Sequence, residues 1–308
     1  MENLRENKCN TLALHEPIFF RIFAIMKVCV IGGANVDITA TARERFIARD
    51  SNPGTVRLSF GGVGRNIAHN LALLGDDVHF VTRFGGDAFG QMLQVSCREI
   101  GMDLSLCETC PTLPSACFAS LNDTDGEMLG GVADMSVTES ISTEWLAKRI
   151  KAINAADAVA ADTNLLPETL AWLIDHIDVP LYVDAVSGPK AIRLLKALEI
   201  SKRKRLYAFK CNALEAETLS SVTGYQRRFV TRGAEGLEVA AQGRLFLFPA
   251  LPGTIRNTTG GGDALLAGIV HAGPEAKVEE AARIGLLCAR CAIESDEAVN
   301  EELKNLKL

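Results

Sequence analysis

The sequence predicts an α/β fold in which a mostly parallel central sheet is covered by helices and carries a small second β-sheet. Short continuous apolar runs, typical of strands buried on both faces, alternate with segments of helical periodicity. Two hairpin-like regions, at about residues 37–60 and 104–132, interrupt this alternation and are predicted to pair as a lid. Near the end of the chain, three consecutive glycines lead directly into a strongly apolar helix.

Composition is that of an ordinary globular protein. The 308 residues are 48% hydrophobic and 23% charged, which permits a large core and argues against disorder. The formal net charge of −6 argues against a protein that binds nucleic acid through a basic surface. We therefore expect no nucleic-acid partner.

The first 26 residues are predicted to be an extension that precedes a folded domain at residues 27–308. The apolar run at residues 17–26 is too short to span a bilayer, and Arg21 interrupts it. No small-residue cleavage site follows it, so we expect neither a signal peptide nor a membrane partner. An odd number of cysteines, nine, suits a reducing compartment. These features predict a cytoplasmic protein.

Two cysteine pairs have C-x-x-C spacing, Cys107/Cys110 and Cys288/Cys291. Each pair lies in an apolar or mixed segment without a nearby histidine. We interpret all four as small buried hydrophobic residues and predict no metal site there.

The first βα units bring two candidate sites. An apolar strand at residues 27–31 ends at Gly32-Gly33, and Asn35 and Asp37 follow where parallel strands of α/β sheets bind ligands. Further on, Phe60-Gly61-Gly62-Val63-Gly64-Arg65-Asn66 opens a helix. Its glycines would let the backbone approach a ligand, to which Asn66 could donate and accept. The alternative is a tight turn with a capping Asn.

After residue 139 the alternation of strands and helices resumes. Helices are predicted at residues 143–154, 167–175 and 189–198, and strands at 158–161, 181–184 and 206–210. Asn212 and Glu215 open the next helix as a capping box, which does not exclude ligand contact. The strand that ends at Thr231 runs into a turn with Gly233 and Gly236, and a hairpin follows. A long helix is predicted at residues 278–293.

The most informative stretch is Asn257-Thr258-Thr259-Gly260-Gly261-Gly262-Asp263, which opens the apolar helix. Glycine amides at a helix start form an anion site, because first-turn N–H groups are unpaired and the helix dipole is positive there. Asp263 could take a proton from a hydroxyl beside a bound phosphate. This combination predicts phosphoryl transfer. The alternative is a turn followed by an ordinary first-turn acid.

Five motifs in this order resemble the ribokinase-like (PfkB) carbohydrate and nucleoside kinases over about residues 27–300. They are Asn35-x-Asp37, Gly61-Gly62-x-x-x-Asn66, Asn212-x-x-Glu215, Thr231-x-Gly233-x-x-Gly236 and Gly260-Gly261-Gly262-Asp263. Within this family, residues 50–54, 61–75 and 212–220 look most like the pseudouridine kinases. The resemblance implies a three-layer α/β/α sandwich with a small β-sheet lid, and ATP-dependent phosphorylation of a nucleoside 5′-hydroxyl.

The resemblance also implies a role for each matching residue. Asp263 would be the general base, and the amides of Gly260, Gly261 and Gly262 would bind the γ-phosphoryl group. The implied sugar-binding residues are Asn35, Asp37, Gly61, Gly62 and Asn66. Asn212 and Glu215 would organise Mg²⁺ and phosphates through water, while Thr231, Gly233 and Gly236 would lie along ATP. Ser51 and Lys190 are our candidates for contacts with the base.

Some positions depart from the family pattern. Asn257 stands where many relatives carry an Asp that helps to bind a monovalent cation, which puts potassium activation in doubt. Gly261 replaces the usual alanine, and residues 223–229 and 270–278 are short on the ATP side. Two alternatives therefore stay open: a kinase for another nucleoside or a sugar, and a weakly active or inactive relative that binds such a ligand. Exposed lid edges favour a homodimer.

Overall fold

The computed structural model describes residues 10–11 and 25–308. The predicted N-terminal extension therefore lies mostly outside the described residues. In the described part of the chain, no helix is long and apolar enough to cross a membrane.

Strands and helices alternate along most of the chain. The strands are β1 (Asn10–Thr11), β2 (Lys27–Ile31), β3 (Asn35–Ala42), β4 (Gly54–Gly61), β5 (Asp77–Val81), β6 (Arg83–Gly85), β7 (Glu108–Cys110), β8 (Ala116–Asn122), β9 (Met128–Asp134), β10 (Ala158–Asp162), β11 (Leu181–Asp184), β12 (Leu206–Asn212), β13 (Tyr225–Thr231), β14 (Leu237–Ala241) and β15 (Arg244–Phe248). The α-helices are α1 (Val63–Leu73), α2 (Ala88–Glu99), α3 (Ser136–Glu139), α4 (Thr143–Ala147), α5 (Ile150–Ile153), α6 (Pro167–His176), α7 (Gly188–Ile200), α8 (Ala213–Thr218), α9 (Gly261–His271) and α10 (Val278–Ile293).

The central sheet has the strand order β1-β15-β14-β13-β12-β11-β10-β2-β5. Its pairs are parallel except for β13 with β14 and β14 with β15. Apolar residues face both sides of the sheet: Val30 belongs to the core shared with α1, α9 and α10, and Ile31 to the core shared with α6 and α7. The predicted mostly parallel sheet and three-layer α/β/α architecture are therefore confirmed.

A second sheet of four strands, in the order β4-β3-β8-β9, contains both predicted hairpins. We call it the lid sheet. Its second hairpin begins at Ala116, later than the predicted boundary near residue 104. The intervening strand β7 pairs with β6 in a separate two-stranded sheet, so residues 104–115 pack along the main domain before the chain enters the lid.

The helix predicted at residues 143–154 is divided into α4 and α5. At the break, the Arg149 N–H donates to the Leu146 carbonyl three residues back. The Arg149 guanidinium stacks over the Trp145 ring at 3.6 Å and donates to the carbonyls of Trp145 and Leu106. The α-helical hydrogen-bond pattern is therefore interrupted at the Arg149 N–H, while the Arg149 carbonyl accepts from Ile153 in α5.

Helix α9 is buried along its length between the central sheet and α10. Two glycines permit close packing of α9 and α10: a Cβ on Gly268 would lie 2.8 Å from Cys288 Sγ, and one on Gly285 would lie 2.9 Å from Ile269. Cys288 and Cys291 are buried free thiols, as the sequence predicts. The packing holds the amino-terminal end of α9 beside the carboxyl ends of the parallel strands.

Candidate active site

Three charged side chains form a row across the carboxyl ends of neighbouring strands. Asp162 of β10 is the register partner of Asp184 of β11, which is in turn the partner of Lys210 of β12. All three are buried. Lys210 Nζ lies 2.8 Å and 3.1 Å from the two carboxylate oxygens of Asp184. We call these residues the charged row.

Asp162 holds two glycine segments together. Its Oδ2 accepts hydrogen bonds from the amides of Gly33, at 3.0 Å, and Gly64, at 2.8 Å. Its Oδ1 accepts from the Asn164 amide. Burial raises the pKa of Asp162, which these hydrogen bonds oppose. Asp162 thus joins the turn after β2 to the start of α1, where two of the predicted motifs meet.

The base of the lid sheet supplies a polar pocket wall. Asn35 Nδ2 donates to Asp37 Oδ1 at 2.6 Å, and a Cβ on Gly61 would overlap Asp37 Oδ2 at 2.1 Å. Gly62 has a φ of 101°, a conformation that side chains disfavour. Burial raises the pKa of Asp37. The structure therefore brings four of the predicted sugar-site residues together.

Asn66 connects this wall to Asp263. The Asn66 Nδ2 donates to Asp263 Oδ2 at 2.9 Å. Asn66 Oδ1 is buried and has no hydrogen-bond partner within the described residues. A buried acceptor of this kind is costly unless something pairs with it, and a substrate hydroxyl has the required chemistry.

Asp263 lies in the first turn of α9 and is 8% exposed. Burial raises its pKa to about 7, and the nearby Asp184 carboxylate adds to the rise. Lys210 and the hydrogen bond from Asn66 oppose it. A carboxylate with such a pKa suits general-base catalysis near neutral pH.

The glycines before and around the start of α9 have different constraints. Gly260 has a φ of 81°, and a Cβ there would overlap the Ala298 carbonyl oxygen at 1.8 Å. Gly261 and Gly262 are the first two residues of α9. A Cβ on Gly262 would lie 2.8 Å from Lys210 Nζ. First-turn amides and a buried ammonium group are therefore side by side, an arrangement that attracts anions.

A cleft at the carboxyl ends of β12 and β13 has a volume of about 380 Å³, and Asn212, Thr231 and Gly233 line it. The capping box is present as predicted: Glu215 N donates to Asn212 Oδ1 at 2.9 Å, and the Asn212 amide donates to Glu215 Oε2 at 2.8 Å. Gly236 lies in the turn beyond the cleft with a φ of 101°. The short segment before β13 contains no α-helix.

The oxygen atoms of the Asn212 and Glu215 side chains beside this cleft are of the type that suits a hydrated Mg²⁺. Asn212 Nδ2 also donates to Glu215 Oε1, at 2.7 Å, and the carboxyl is buried with a raised pKa. Among the described residues, no group of three or more His, Cys, Asp or Glu side chains could hold a metal. Mg²⁺ prefers oxygen ligands and keeps several waters when it binds with nucleotide phosphates.

Asn257 is held by hydrogen bonds within the chain. Asn257 Nδ2 donates to the Asp296 carbonyl at 3.1 Å, and the Arg256 guanidinium pairs with the Asp296 carboxylate at 3.3 Å. The amides of Arg256 and Asn257 both donate to the Ile293 carbonyl. Donors and a positive charge thus already contact the Asp296 and Ile293 oxygen atoms beside Asn257.

The two candidates for base contacts are in different places. Lys190 Nζ donates to Asn164 Oδ1 at 2.5 Å and lines a second cleft of about 380 Å³. Ser51 is exposed in the loop between β3 and β4. At roughly 3.3 Å per strand residue, the eight residues of β3 put this loop about 25 Å along the sheet from Asn35. The structure therefore does not bring Ser51 to the other site residues.

Sequence reasoning gave no site role to Asp162, Asp184 or Lys210. The signal was a charged residue directly after an apolar run, in AVAAD, LYVD and LYAFK. Each residue alone is an ordinary charged residue at or near the end of a strand. Only the pairing order of β10, β11 and β12 shows that they form one row.

A buried carboxyl with a pKa near 7, a glycine-rich helix start and a cleft of about 380 Å³ lie along one edge of an α/β sheet. Together they define a phosphotransferase that acts on an alcohol. The chain belongs to the pfkB family of carbohydrate kinases, whose sequence profile matches residues 26–305. Kinases of this family use ATP.

Individual relatives agree with this assignment. The chain is 31% identical to a pseudouridine kinase of Escherichia coli (strain K12) over 296 residues, which cover 90% of this chain and 93% of the relative. It superposes on a carbohydrate kinase from Agrobacterium tumefaciens with a TM-score of 0.78 and 26% identity, covering 91% and 96% of the two chains. The ribokinase from Thermotoga maritima gives a TM-score of 0.78 at 18% identity, with coverage of 92% and 98%, and shares the fold.

Proposed function

We propose that this protein transfers the γ-phosphoryl group of ATP to the 5′-hydroxyl of pseudouridine. The observation that carries this proposal is Asp263 itself: a buried carboxyl at the start of α9, hydrogen-bonded to Asn66. The choice of acceptor is supported by 31% identity to a pseudouridine kinase along nine tenths of the chain. The phosphate-binding residues would serve any alcohol acceptor.

In the proposed reaction, the acceptor hydroxyl lies between Asp263 and the γ-phosphoryl group. Its proton passes to Asp263, the new oxygen–phosphorus bond forms, and the bond from the γ-phosphorus to the bridging oxygen breaks to release ADP. The amides of Gly260, Gly261 and Gly262 stabilise the charge on the phosphoryl oxygens. Asn35, Asp37 and Asn66 hold the sugar, with Gly61 and Gly62 leaving room for it.

Mg²⁺ would neutralise phosphate charge when it binds with ATP. We expect Asn212 and Glu215 to orient its water shell. Of these two residues, Glu215 supplies the carboxylate for the metal site. Thr231, Gly233 and Gly236 would lie along the nucleotide beside them. The short backbone segment before β13 favours weak ATP binding, and so keeps a weakly active relative as the second candidate.

For the base, we propose that Lys190 reaches a carbonyl of the pseudouracil ring from the second cleft. Burial lowers the pKa of Lys190, and its hydrogen bond to Asn164 orients the ammonium group. Recognition of the extra N–H by Ser51 remains a prediction. Because Ser51 lies at the far end of the lid sheet, this role requires the loop to move or a second subunit to present it.

The lid sheet also supports the predicted homodimer. Register partners across its four strands place Leu58, Ile38, Ala119 and Val132 in one row on the same face. Leu58 and Val132 are exposed, and Asp37 lies on the opposite face. We propose that this apolar face, within residues 35–61 and 116–134, packs against the lid sheet of a second copy.

A substrate-panel assay tests the proposed function. The purified chain is supplied with Mg-ATP and pseudouridine, uridine, guanosine, inosine, ribose or fructose, and ADP release and phosphorylated product are measured. We expect pseudouridine to give a kcat/KM at least about 10-fold above uridine, as one hydrogen-bonded polar group can provide. A higher kcat/KM for another compound of the panel would make that compound the acceptor in the proposed function, in place of pseudouridine. No product from any of them would favour the inactive relative.

A further inference from the structure

We propose that Lys210 is a catalytic residue whose ammonium group contacts the γ-phosphoryl group beside Gly262, with Asp184 holding it in position. This proposal rests on phosphoryl transfer, and it does not depend on which alcohol is the acceptor. Neither residue belongs to the five sequence motifs.

The first support is the place of the ammonium group. Lys210 is 7% exposed, and lysine is rarely buried this far without a specific partner. Its Nζ lies so close to Gly262 that a Cβ there would be 2.8 Å away. A phosphoryl group that reaches the first-turn amides of α9 therefore also meets the ammonium group.

The second support is a strained backbone next to Asp184. Val186 has a φ of 62°, which is unfavourable for a β-branched residue. In this conformation the Val186 N–H donates to Asp184 Oδ1 at 2.8 Å. Strain of this kind persists where the surroundings demand it, and such positions cluster at functional sites. Here the strained turn orients the carboxylate that holds Lys210.

The third support is the change of charge during the reaction. Lys210 is hydrogen-bonded to Asp184 and lies within the electrostatic field of two further carboxylates, Asp263 and Glu215. When Asp263 accepts the proton it becomes neutral, and Lys210 loses one of these negative neighbours. Negative charge on the transferring phosphoryl group and the leaving bridging oxygen replaces it. In a buried site this favours the transition state over the ground state.

If Lys210 served only as the structural counter-ion of Asp184, its substitution would have a different effect from that expected of a catalytic residue. Removing one partner of a buried ion pair destabilises a protein strongly, whereas removing both together is often tolerated. Lys210→Met should therefore lower the Tm. The double variant Asp184→Asn, Lys210→Met should restore it. If the pair is only structural, activity should return with stability.

The experiment compares wild type, Lys210→Met, the double variant and Lys196→Met, a control at an exposed lysine of α7. We expect the double variant to have a Tm near wild type but a kcat at least about 100-fold lower, the size of effect of one oxyanion-stabilising group. The control should match wild type. A double variant with wild-type kcat would overturn the proposal.

A binding measurement makes the test independent of turnover. Calorimetry with Mg-ATP and Mg-ADP compares two ligands that differ by the γ-phosphoryl group. We expect the double variant to bind Mg-ATP at least about 10-fold more weakly, equivalent to one good ionic contact, with Mg-ADP unchanged. Equal losses for both ligands, or none, would contradict the contact. If wild type uses an acceptor other than pseudouridine, the proposed function fails while this test still applies.

Discussion

Asp263 has two properties that oppose each other energetically. It must be ionised to accept a proton, yet it is buried beside Asp184, which disfavours the charged form and raises its pKa to about 7. Lys210 and the Asn66 amide limit that rise. The balance leaves a base that is about half ionised at pH 7 and basic enough to take a proton from an alcohol.

The raised pKa of Asp263 predicts a stability cost above neutral pH. The native state holds a proton that the unfolded state has released between about pH 4 and pH 7, so the free energy of unfolding falls as the pH rises through this window. We expect Asp263→Asn to raise the Tm at pH 8 and to change it little at pH 4. Differential scanning fluorimetry at both values measures this. An equal change at both would contradict the raised pKa.

The position of Gly262 leads to a second prediction, on the effect of a side chain there on kcat. Gly262→Ala introduces a methyl group 2.8 Å from Lys210 Nζ, so the ammonium group must move. We expect kcat to fall by about 10-fold or more because ionic stabilisation is lost, with a small change in Tm. Gly130→Ala, where a Cβ meets no atom within 4 Å, is the control. Steady-state ADP release by both variants measures this effect. Equal rates for the two variants would show that the added methyl group does not displace the Lys210 ammonium group.

At the scale of elements, the loop before α9 is tied to the last residue of α10 and to the segment that follows it. Asn257, Arg256 and the backbone carbonyls of Ile293 and Asp296 make these contacts. Gly260 lies directly against Ala298. Hydrogen bonds within the chain therefore fix the glycine loop that leads into α9.

These contacts predict activity without potassium. We expect kcat/KM in 100 mM KCl to be within about 2-fold of that in 100 mM tetramethylammonium chloride, since at matched ionic strength both salts screen charges alike. Asn257→Ala should lower activity in both salts by loosening the loop. A large activation by potassium in the wild-type protein would show that a cation site forms despite these hydrogen bonds.

Several elements could be predicted because one local pattern determines each of them. The apolar run Val28–Ile31 gives a buried strand, Asn212 with Glu215 gives a capping box, and α10 has the predicted limits. The charged row could not be predicted, since it depends on which strands pair. The lid boundary near residue 104 was misplaced for a related reason: β7 reads as a lid strand until its partner, β6, is known.

At the scale of the whole molecule, the lid sheet has one face toward the active site and one toward solvent. The solvent face carries Val56, Leu58 and Val132, which are 69%, 52% and 74% exposed. A monomer rarely exposes such a contiguous apolar surface without a function. A second copy related by two-fold symmetry would cover the solvent faces of the two lid sheets, one from each subunit, at the same time.

The dimer predicts that charge on this face separates the subunits. We expect Val132→Lys with Leu58→Lys to give a monomer by light scattering after size-exclusion chromatography, because burying an unpaired ammonium group is costly. Met92→Lys, at another exposed apolar residue, should leave the dimer intact. A wild-type protein that is monomeric at micromolar concentration would contradict the proposed face.

The central claim is that Asp263 removes the proton from the acceptor alcohol. Its most direct test is the pH dependence of kcat/KM for wild type and Asp263→Asn with the preferred acceptor. We expect the wild-type value to rise with unit slope up to an apparent pKa near 7, and the variant to lose at least about 1,000-fold, within the range of general-base catalysis. A variant that keeps a tenth of the activity and the same acid limb would contradict the claim.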